Sequence, residues 1–259
     1  MRVMTFNLRR DSFFDFNNSW DMRKDMVYYL MNECGCDIIG IQEVKDNMFM
    51  DIKKNVKRYN IIGEARSKKM SSERNNFLIS EKYTIQEQNT FWLSETPNKV
   101  GSRIWRSYLP RICTMAVVKI DENKKIRICN SHLDNFFPKT REYQLKKLME
   151  IIEKEDKREK LPIILMGDFN DAPDSKLIKN FKDGKFSRKK LTPVQDINEI
   201  LYSEATRDKF KRTERGVHID YIFVSEEIEV ISAEIVKYNI DGKYPSDHYP
   251  LIADIKIKL

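Results

Sequence analysis

The sequence is poor in the residues that mark several classes of protein. Its 259 residues include 4 cysteines, 8 glycines, 8 prolines and 3 histidines. So few cysteines exclude a disulfide scaffold in a chain of this length, and the scarcity of glycine and proline excludes collagen-like or linker-like sequence. Cys34 and Cys36 could form a metal or redox pair, but no second Cys or His pair lies at zinc-finger spacing. We therefore expect reduced structural thiols and a cytoplasmic setting.

Long apolar runs are also absent. None approaches the roughly 18–20 residues that a membrane helix needs, and the start, MRVMTFNLRR, lacks the apolar segment and cleavage site of a signal peptide. Hydrophobic residues make up 41% of the chain and charged residues 34%, which suits a single domain over residues 1–259. The net charge of +7 favours a polyanionic partner. The basic runs Lys53–Lys54, Arg66–Lys69 and Arg188–Lys190 are expected to be solvated faces.

Short segments rich in Ile and Val alternate with polar residues, which is typical of a chain of many strands. The predicted strands are 2–6, 37–42, 59–62, 77–80, 84–92, 112–120, 126–130, 161–166, 219–224, 228–238 and 251–257. The predicted helices are 21–33 after Ser19, 141–159 after Thr140, and 175–181. Two helices join strands, whereas 112–130 and 219–238 look like antiparallel hairpins. We therefore expect one mixed sheet, or two sheets packed face to face with helices outside.

Strongly polar residues stand where the apolar runs begin or stop. They are Asn7, Glu43, His132, Asp168, Asn170, Asp220, Asp247 and His248. An antiparallel strand presents its start where its neighbours present their ends, so these residues can meet at one edge of the sheets, where catalytic loops often lie. Taken singly, an asparagine or aspartate there could be a turn residue, and Glu43 an ordinary strand end. A carboxylate at Asp220, inside an apolar strand start, is costly unless it is paired.

This combination of residue types suggests metal-assisted hydrolysis of a phosphate ester. Glu43 offers the hard oxygen ligand that Mg²⁺ or Mn²⁺ prefers, and the ion would polarise a phosphoryl oxygen. An Asp–His pair can act on a water, Asn170 can position that water or the phosphate, and a second imidazole can donate to a non-bridging oxygen. Too few cysteines and histidines cluster for zinc, and there is no G-x-S-x-G elbow or Walker-type loop.

Eight segments together resemble the endonuclease/exonuclease/phosphatase superfamily, the deoxyribonuclease-I-like hydrolases. They are TFNLRR, IQEVK, FWLSETP, GSRIWRSYLPRICT, NSHLDNF, LPIILMGDFNDAPDS, IDYIFVS and YPSDHYPL. GDFN with SDH is the most specific combination, and SETP, PRICT and PSDHYPL resemble a bacterial branch near the deadenylase-type nucleases. The resemblance implies an α/β fold, a four-layer α/β/β/α sandwich of two packed mixed β-sheets, with Mg²⁺ or Mn²⁺ as cofactor.

The resemblance also implies a role for each matching residue near the ion. Glu43 would bind the metal with Asn7 beside it, and Asp247 would support the metal or the nucleophile. His248 would be the general base, or an acid in the transition state, and Asp220 would orient it.

On the substrate side, Asp168 and Asn170 would hold the attacking water and the phosphate, and His132 would contact the scissile phosphate. Arg111 of PRICT would clamp the phosphate, because a guanidinium matches phosphate oxygens in a fork; its alternative role is a surface charge. Asn75, two residues after Glu73 in SSERNN, stands where the family carries a Glu-x-Asn near the site.

One stretch departs from the branch. Before IDYIF the branch usually carries Gly-Thr-Phe-His-Gly-Phe, whereas residues 205–210 read ATRDKF. This difference puts substrate choice in doubt although the chemistry stands. His218 takes a position where the branch often has Arg, and we expect it to be structural.

Three functions compete. The first is a metal-dependent phosphodiesterase acting on nucleic acid. Trp92, Trp105, Tyr108, Phe136 and Phe137 could stack bases there, although core packing is their expected role. The second is a phosphatase or phospholipase-type hydrolase of inositol phosphates, phospholipid heads or small phosphoesters. The third is a binding module with a retired site, which the presence of every catalytic residue type disfavours. The sequence leaves the oligomeric state open.

Overall fold

The computed structural model describes residues 1–70, 72–211 and 216–258. Its strands are β1 (Arg2–Asn7), β2 (Ile38–Val44), β3 (Tyr59–Ile62), β4 (Arg74–Ser80), β5 (Thr84–Trp92), β6 (Ile112–Lys119), β7 (Lys125–His132), β8 (Ile163–Asp168), β9 (Leu191–Pro193), β10 (Asp220–Ser225), β11 (Ile228–Ile235) and β12 (Leu251–Ile257). Its α-helices are α1 (Trp20–Glu33), α2 (Asp46–Asn55), α3 (Pro138–Arg158) and α4 (Lys176–Lys182). Short 3-10 helices cover Phe13–Asn18, Val194–Ile197 and Glu199–Ser203.

The strands form two mixed sheets. Sheet I has the order β11-β12-β1-β2-β4-β3, and sheet II has the order β5-β6-β7-β8-β10-β9. Side chains alternate across each strand, so that in β1 Val3 enters the core between the sheets and Met4 enters the core shared with α1 and α2. In β8, Ile164 faces the other sheet and Leu165 packs with residues of α3 and α4. These layers confirm the predicted α/β/β/α sandwich.

The two strand pairs joined by helices are parallel, as predicted. The connection through α1 places β2 parallel to β1, and the connection through α3 places β8 parallel to β7. In both pairs the polar residue that ends each strand therefore arrives at the same edge. The β7–β8 register places His132 opposite Asp168, and β10 runs antiparallel to β8 with Asp220 opposite Asp168.

Two predictions about elements were wrong, and two elements were missed. The 219–238 segment is not a hairpin, because β10 lies in sheet II and β11 in sheet I. β10 is buried along its length between β8 and β9, whereas β11 is a half-exposed strand paired with β12. Helix α3 begins at Pro138 and not after Thr140, because proline is favoured in the first helical turn. Thr140 therefore lies inside the helix. Helix α2 and the short strand β9 were not predicted.

The sheets meet closely just beneath the polar edge. Gln42 of sheet I donates to Asn130 of sheet II at 2.7 Å, and Asn130 donates back to the carbonyl of Ile41 at 3.0 Å. Gly167 has φ +139°, and a Cβ there would lie 1.8 Å from the carbonyl oxygen of Ser131. Only glycine therefore allows β8 to run beside β7 up to His132. Within the described residues, none of the helices has the length and apolar character needed to cross a bilayer, and all four cysteines are free.

Candidate active site

The predicted polar residues converge at the edge where β1, β2, β7 and β8 end. Asn7 and Glu43 come from sheet I, and His132 and Asp168 come from sheet II. Asp220 starts β10 at the same edge, and the loop before β12 brings in Asp247 and His248. Several of these side chains contact one another directly.

Asn7 links the two sheets. Its side-chain amide donates to Asp168 Oδ2 at 3.0 Å and to Glu43 Oε1 at 3.3 Å. The second oxygen of Glu43 accepts the backbone N–H of Arg10 at 2.9 Å. Glu43 has φ +63° where the β2–β4 register shifts, and a β-bulge of this kind redirects a side chain. Burial opposes ionisation of Glu43, but the positive charges around it, among them His248 and Arg9, and the Arg10 N–H outweigh burial and hold the pKa of the carboxyl well below its usual range.

A buried Asp–His pair lies beside this link. His248 Nδ1 is 2.8 Å from Asp220 Oδ2, and His248 Nε2 is 3.9 Å from Asp247 Oδ1. Burial would lower the pKa of His248, but the charges of Asp220 and Asp247 outweigh burial and raise it to about 9. Because Nδ1 is the donor in the hydrogen bond to Asp220, Nε2 is the ring nitrogen that is available for proton transfer.

Asp168 lies between two imidazoles. Its Oδ2 is 3.8 Å from Nε2 of His248 and 3.6 Å from Nε2 of His132, and its Oδ1 accepts the backbone N–H of Asn170 at 2.8 Å. Burial and the charge of Asp220 raise the pKa of Asp168 to about 7. Asn170 adopts φ +52° and donates its amide to the Leu133 carbonyl at 3.1 Å.

His132 and Arg111 occupy the other side of the site. Burial, reinforced by the charge of Arg111, lowers the pKa of His132 well below its usual value, so the ring is neutral at pH 7. Arg111 is 5% exposed and donates Nη2 to Asn135 Oδ1 at 3.1 Å, while its Nε has no partner among the described atoms. Arg111 is therefore a buried cation rather than the surface charge considered as its alternative role.

These side chains surround a cavity of about 200 Å³ that is large enough for a phosphate group. The predicted site residues in its wall are Glu43, Arg111, His132, Asp168, Asn170 and His248. Asn7, Asp220 and Asp247 contact these residues from behind the wall. Asn75 does not join the wall: its amide donates to the Ile112 carbonyl at 3.0 Å, whereas its neighbour Glu73 does line the cavity.

Sequence reasoning missed several residues of the wall. They are Arg9, Arg10, Arg66, Leu109, Asn135 and Arg207. Arg66 is buried and bonds to Glu73 at 2.8 Å, so its assignment to a solvated basic run was wrong. Lys68 and Lys69 in the same run made Arg66 look like part of a solvated basic segment. Arg10 stood inside the TFNLRR motif, which was the only signal that could have found it.

The aromatic residues divide into two groups. Trp92 is buried and donates Nε1 to the Arg66 carbonyl at 2.7 Å. Trp105, Tyr108, Phe136 and Phe137 are between 51% and 85% exposed, so core packing was the wrong expectation for these four. Tyr108 and Phe136 line the cavity and meet edge to face with ring centres 6.1 Å apart.

The segment that departs from the bacterial branch supports the Asp–His pair. Thr206 is buried, and its hydroxyl accepts the backbone N–H groups of Ile219 at 3.0 Å and Asp220 at 3.1 Å. Arg207 lines the cavity, and its Nε is 3.5 Å from Asp247 Oδ2. His218 lies outside the cavity wall, where its Nδ1 bonds to the Glu204 carbonyl at 2.9 Å.

The oxygen donors fit a hard divalent cation. Ligand atoms of Asp168, Asp220 and His248 lie within 4.8 Å of one another, but Asp220 and His248 are already joined by a hydrogen bond. The buried Oδ1 atom of Asp247 lacks a hydrogen-bond partner among the described atoms, and the carboxylate of Glu43 faces the cavity. Carboxylate and amide oxygens are the donors that Mg²⁺ and Mn²⁺ prefer.

Comparison with known proteins agrees with the resemblance found in the sequence. A family model described as "Endonuclease/Exonuclease/phosphatase family" matches residues 4–248. An endonuclease/exonuclease/phosphatase from Bacteroides vulgatus is 30% identical over 99% of this chain and 98% of that one, with a TM-score of 0.87. A mannosyl-6-phosphatase from Bacteroides thetaiotaomicron is 25% identical over 99% and 100%, with a TM-score of 0.88. The human nocturnin catalytic domain, solved with sulfate, shares the fold at 19% identity, with a TM-score of 0.76 over 100% and 94%. No curated protein sequence matches.

Proposed function

Because the chain belongs to the endonuclease/exonuclease/phosphatase family, we propose that it is a divalent-metal-dependent hydrolase that cleaves a phosphodiester in nucleic acid. The observation that carries this proposal is the buried Asp220–His248 pair, which directs His248 Nε2 toward Asp168 in an arginine-lined cavity. An imidazole held in this way is suited to proton transfer, and guanidinium groups are suited to binding a phosphate.

Glu43 would hold Mg²⁺ or Mn²⁺, with Asn7 and Asp247 in support. When bound, the ion would polarise a phosphoryl oxygen, and its charge would lower the pKa of neighbouring groups such as His248. Asn7 fixes the Glu43 carboxylate through its amide, and the Arg10 N–H holds the other oxygen.

His248 would accept the proton of the attacking water at Nε2. Asp220 keeps the other ring nitrogen protonated and stabilises the imidazolium that forms. Asp168 and Asn170 would position the water, since both line the cavity next to His248. His132 would donate a hydrogen bond to a non-bridging oxygen, and Arg111 would neutralise the charge of the phosphate.

Nucleic acid is favoured as substrate by the rings at the cavity. Tyr108 and Phe136 are exposed and stand in its wall, where they could stack on a base next to the scissile phosphate. The net charge of +7 also favours a polyanion.

A phosphatase or phospholipase-type hydrolase is the second candidate. The small volume of the cavity, about 200 Å³, suits a compact head group, and one relative with 25% identity is a mannosyl-6-phosphatase. Inositol phosphates, phospholipid heads and small phosphoesters belong to this class of substrate.

A substrate panel tests the proposal. The protein is incubated with Mg²⁺ and single-stranded RNA, abasic duplex DNA, inositol phosphates or sphingomyelin, and the His248→Gln variant serves as the blank. Shortened nucleic acid supports the first function, and release of phosphate or choline phosphate supports the second. Binding without turnover of any substrate would leave only a binding module.

A further inference from the structure

Arginines outnumber carboxylates in the wall of the cavity, where the carboxylates are Glu43, Glu73 and Asp168. Five arginines line the cavity: Arg9, Arg10, Arg66, Arg111 and Arg207. Two of them each form an ion pair with a separate carboxylate. Arg9 Nη2 lies 2.9 Å from Asp15 Oδ1, and Arg207 Nε lies 3.5 Å from Asp247 Oδ2. The charges of those two arginines are therefore balanced within the protein.

Arg10 and Arg66 share a single carboxylate. Glu73 Oε1 is 3.3 Å from Arg10 Nη1, and Glu73 Oε2 is 2.8 Å from Arg66 Nη1. Each guanidinium carries five N–H groups in a fixed fork, so most donors of both forks stay available to the cavity. The backbone of Arg66 is held on both sides, by the Glu73 carbonyl and the Trp92 indole.

Arg111 has only a neutral partner. Its Nη2 donates to Asn135, and within the described residues no carboxylate lies within 4.0 Å of it. Among Arg10, Arg66 and Arg111, ion-pair contacts thus involve one carboxylate, that of Glu73. Glu43 also acts electrostatically on Arg66 and Arg111, but under the proposed function its carboxylate holds the metal ion. A buried cation without a counter-charge is costly, so the wall is built for anions.

The three cations differ in exposure. Arg111 and Arg66 are nearly buried and both act electrostatically on His132, Arg111 more strongly, whereas the side chain of Arg10 is 45% exposed. A phosphodiester carries one negative charge, which Arg111 would take up if the proposed function is correct. Arg10 and Arg66, which share Glu73, then keep one net positive charge between them.

We propose that Arg10 and Arg66 form a second anion subsite, so that the preferred substrate carries another phosphate next to the scissile one. This inference rests on the proposed function, because it takes the inner position to be the reacting phosphate. Glu73 sets the spacing of the two forks. A nucleotide that bears an additional phosphate and an inositol bisphosphate both present the required chemistry.

Matched substrate pairs test the subsite and separate the two sources. The first pair is thymidine 5′-(p-nitrophenyl phosphate) with and without a 3′-phosphate, and the second is inositol 1,4-bisphosphate against inositol 1-phosphate. In the pair that matches the natural source, the extra phosphate is expected to raise kcat/KM about tenfold, the effect of one charge-assisted hydrogen bond. Arg10→Gln and Arg66→Gln should each bring that ratio close to unity.

Arg188→Gln is the control, because Arg188 is an exposed arginine in a different cavity, and the ratio should survive there. Equal kcat/KM within both pairs, or variants that weaken both members of a pair alike, would overturn the subsite.

Turnover of none of the four substrates would count against the proposed function and leave the subsite to be tested by binding alone. Metal-free protein is then titrated calorimetrically with thymidine 3′,5′-bisphosphate and thymidine 5′-monophosphate. Tighter binding of the bisphosphate that is lost in Arg66→Gln supports the subsite, and equal affinities overturn it.

Discussion

His248 Nδ1 lies 2.8 Å from Asp220 Oδ2, and both side chains are almost completely buried. The backbone holds this pair from two directions. The N–H of His248 donates to Ser246 Oγ at 3.2 Å, and the Ser246 hydroxyl donates to the Asn7 carbonyl at 2.6 Å. Thr206 fixes the start of β10 beneath Asp220. The imidazole is therefore oriented before any substrate arrives.

Replacing this imidazole should abolish most turnover. His248→Gln is expected to lower kcat by ~10²-fold or more, because the group that transfers the proton is lost. His218→Gln is the matched control, since His218 is also buried but lies outside the cavity wall. Steady-state kinetics on the best substrate of the panel, with circular dichroism to check folding, measures both variants. Near-normal kcat in His248→Gln would remove the assigned role.

Asp220→Asn should shift the pH profile. The negative charge of Asp220 raises the pKa of His248, so its removal lowers that pKa. If His248 acts as the base, log kcat/KM rises with pH up to the pKa, and the rising limb of the variant moves to lower pH. A falling limb that moves to lower pH would instead identify His248 as a proton donor. An unchanged profile would show that His248 does not control the rate.

Glu43→Gln should weaken metal binding while the fold persists. Loss of the carboxylate charge is expected to reduce Mn²⁺ affinity ~10-fold or more, the scale seen when even a supporting group of a metal site is removed. Isothermal titration with Mn²⁺ measures this without turnover, and Glu95→Gln, at an exposed position, is the control. Wild-type activity should also disappear in EDTA and return with Mg²⁺. Unaltered Mn²⁺ affinity in Glu43→Gln would place the ion elsewhere.

Gly167→Ala should destabilise the protein strongly. The new methyl group would lie 1.8 Å from the Ser131 carbonyl oxygen, so β8 must move away from β7 and carry Asp168 with it. We expect a loss of about 3 kcal/mol or more in the free energy of unfolding, a cost reserved for severe clashes. Gly35→Ala is the control, because Gly35 also has a positive φ but open space around it, and should cost about 1 kcal/mol. Urea titration gives both values, and equal losses would refute the steric argument.

Much of the fold could be predicted because its signals are local. Alternating Ile and Val segments gave the strands, and the helical connections gave the parallel pairs β1–β2 and β7–β8. Membership of the family followed from motifs such as GDFN and SDH and is confirmed by the match to residues 4–248. The residues around β10 and β11 do not indicate that the two strands belong to different sheets. Each strand pairs with strands that are distant in the sequence, and local residues do not specify those partners.

The candidate site divides in the same way. Carboxylates and histidines at strand ends were visible because such residues are rare beside apolar runs. Arg66 was not, because a basic residue two positions before a pair of lysines is expected to be solvated, and only the folded chain buries it. The role of Asn75 stays a prediction: its motif position suggests substrate contact, whereas in the structure its amide donates to the Ile112 carbonyl and it does not line the cavity.

Asn7 donates to Glu43 in one sheet and to Asp168 in the other, so turnover should depend on close contact between the two sheets at this edge. Solvent entering that seam would separate metal donors from proton-transfer groups while every helix was still intact. The proposed activity should therefore be lost at a lower denaturant concentration than the helical circular dichroism signal. A compound that binds between the two sheets should inhibit that activity without entering the cavity.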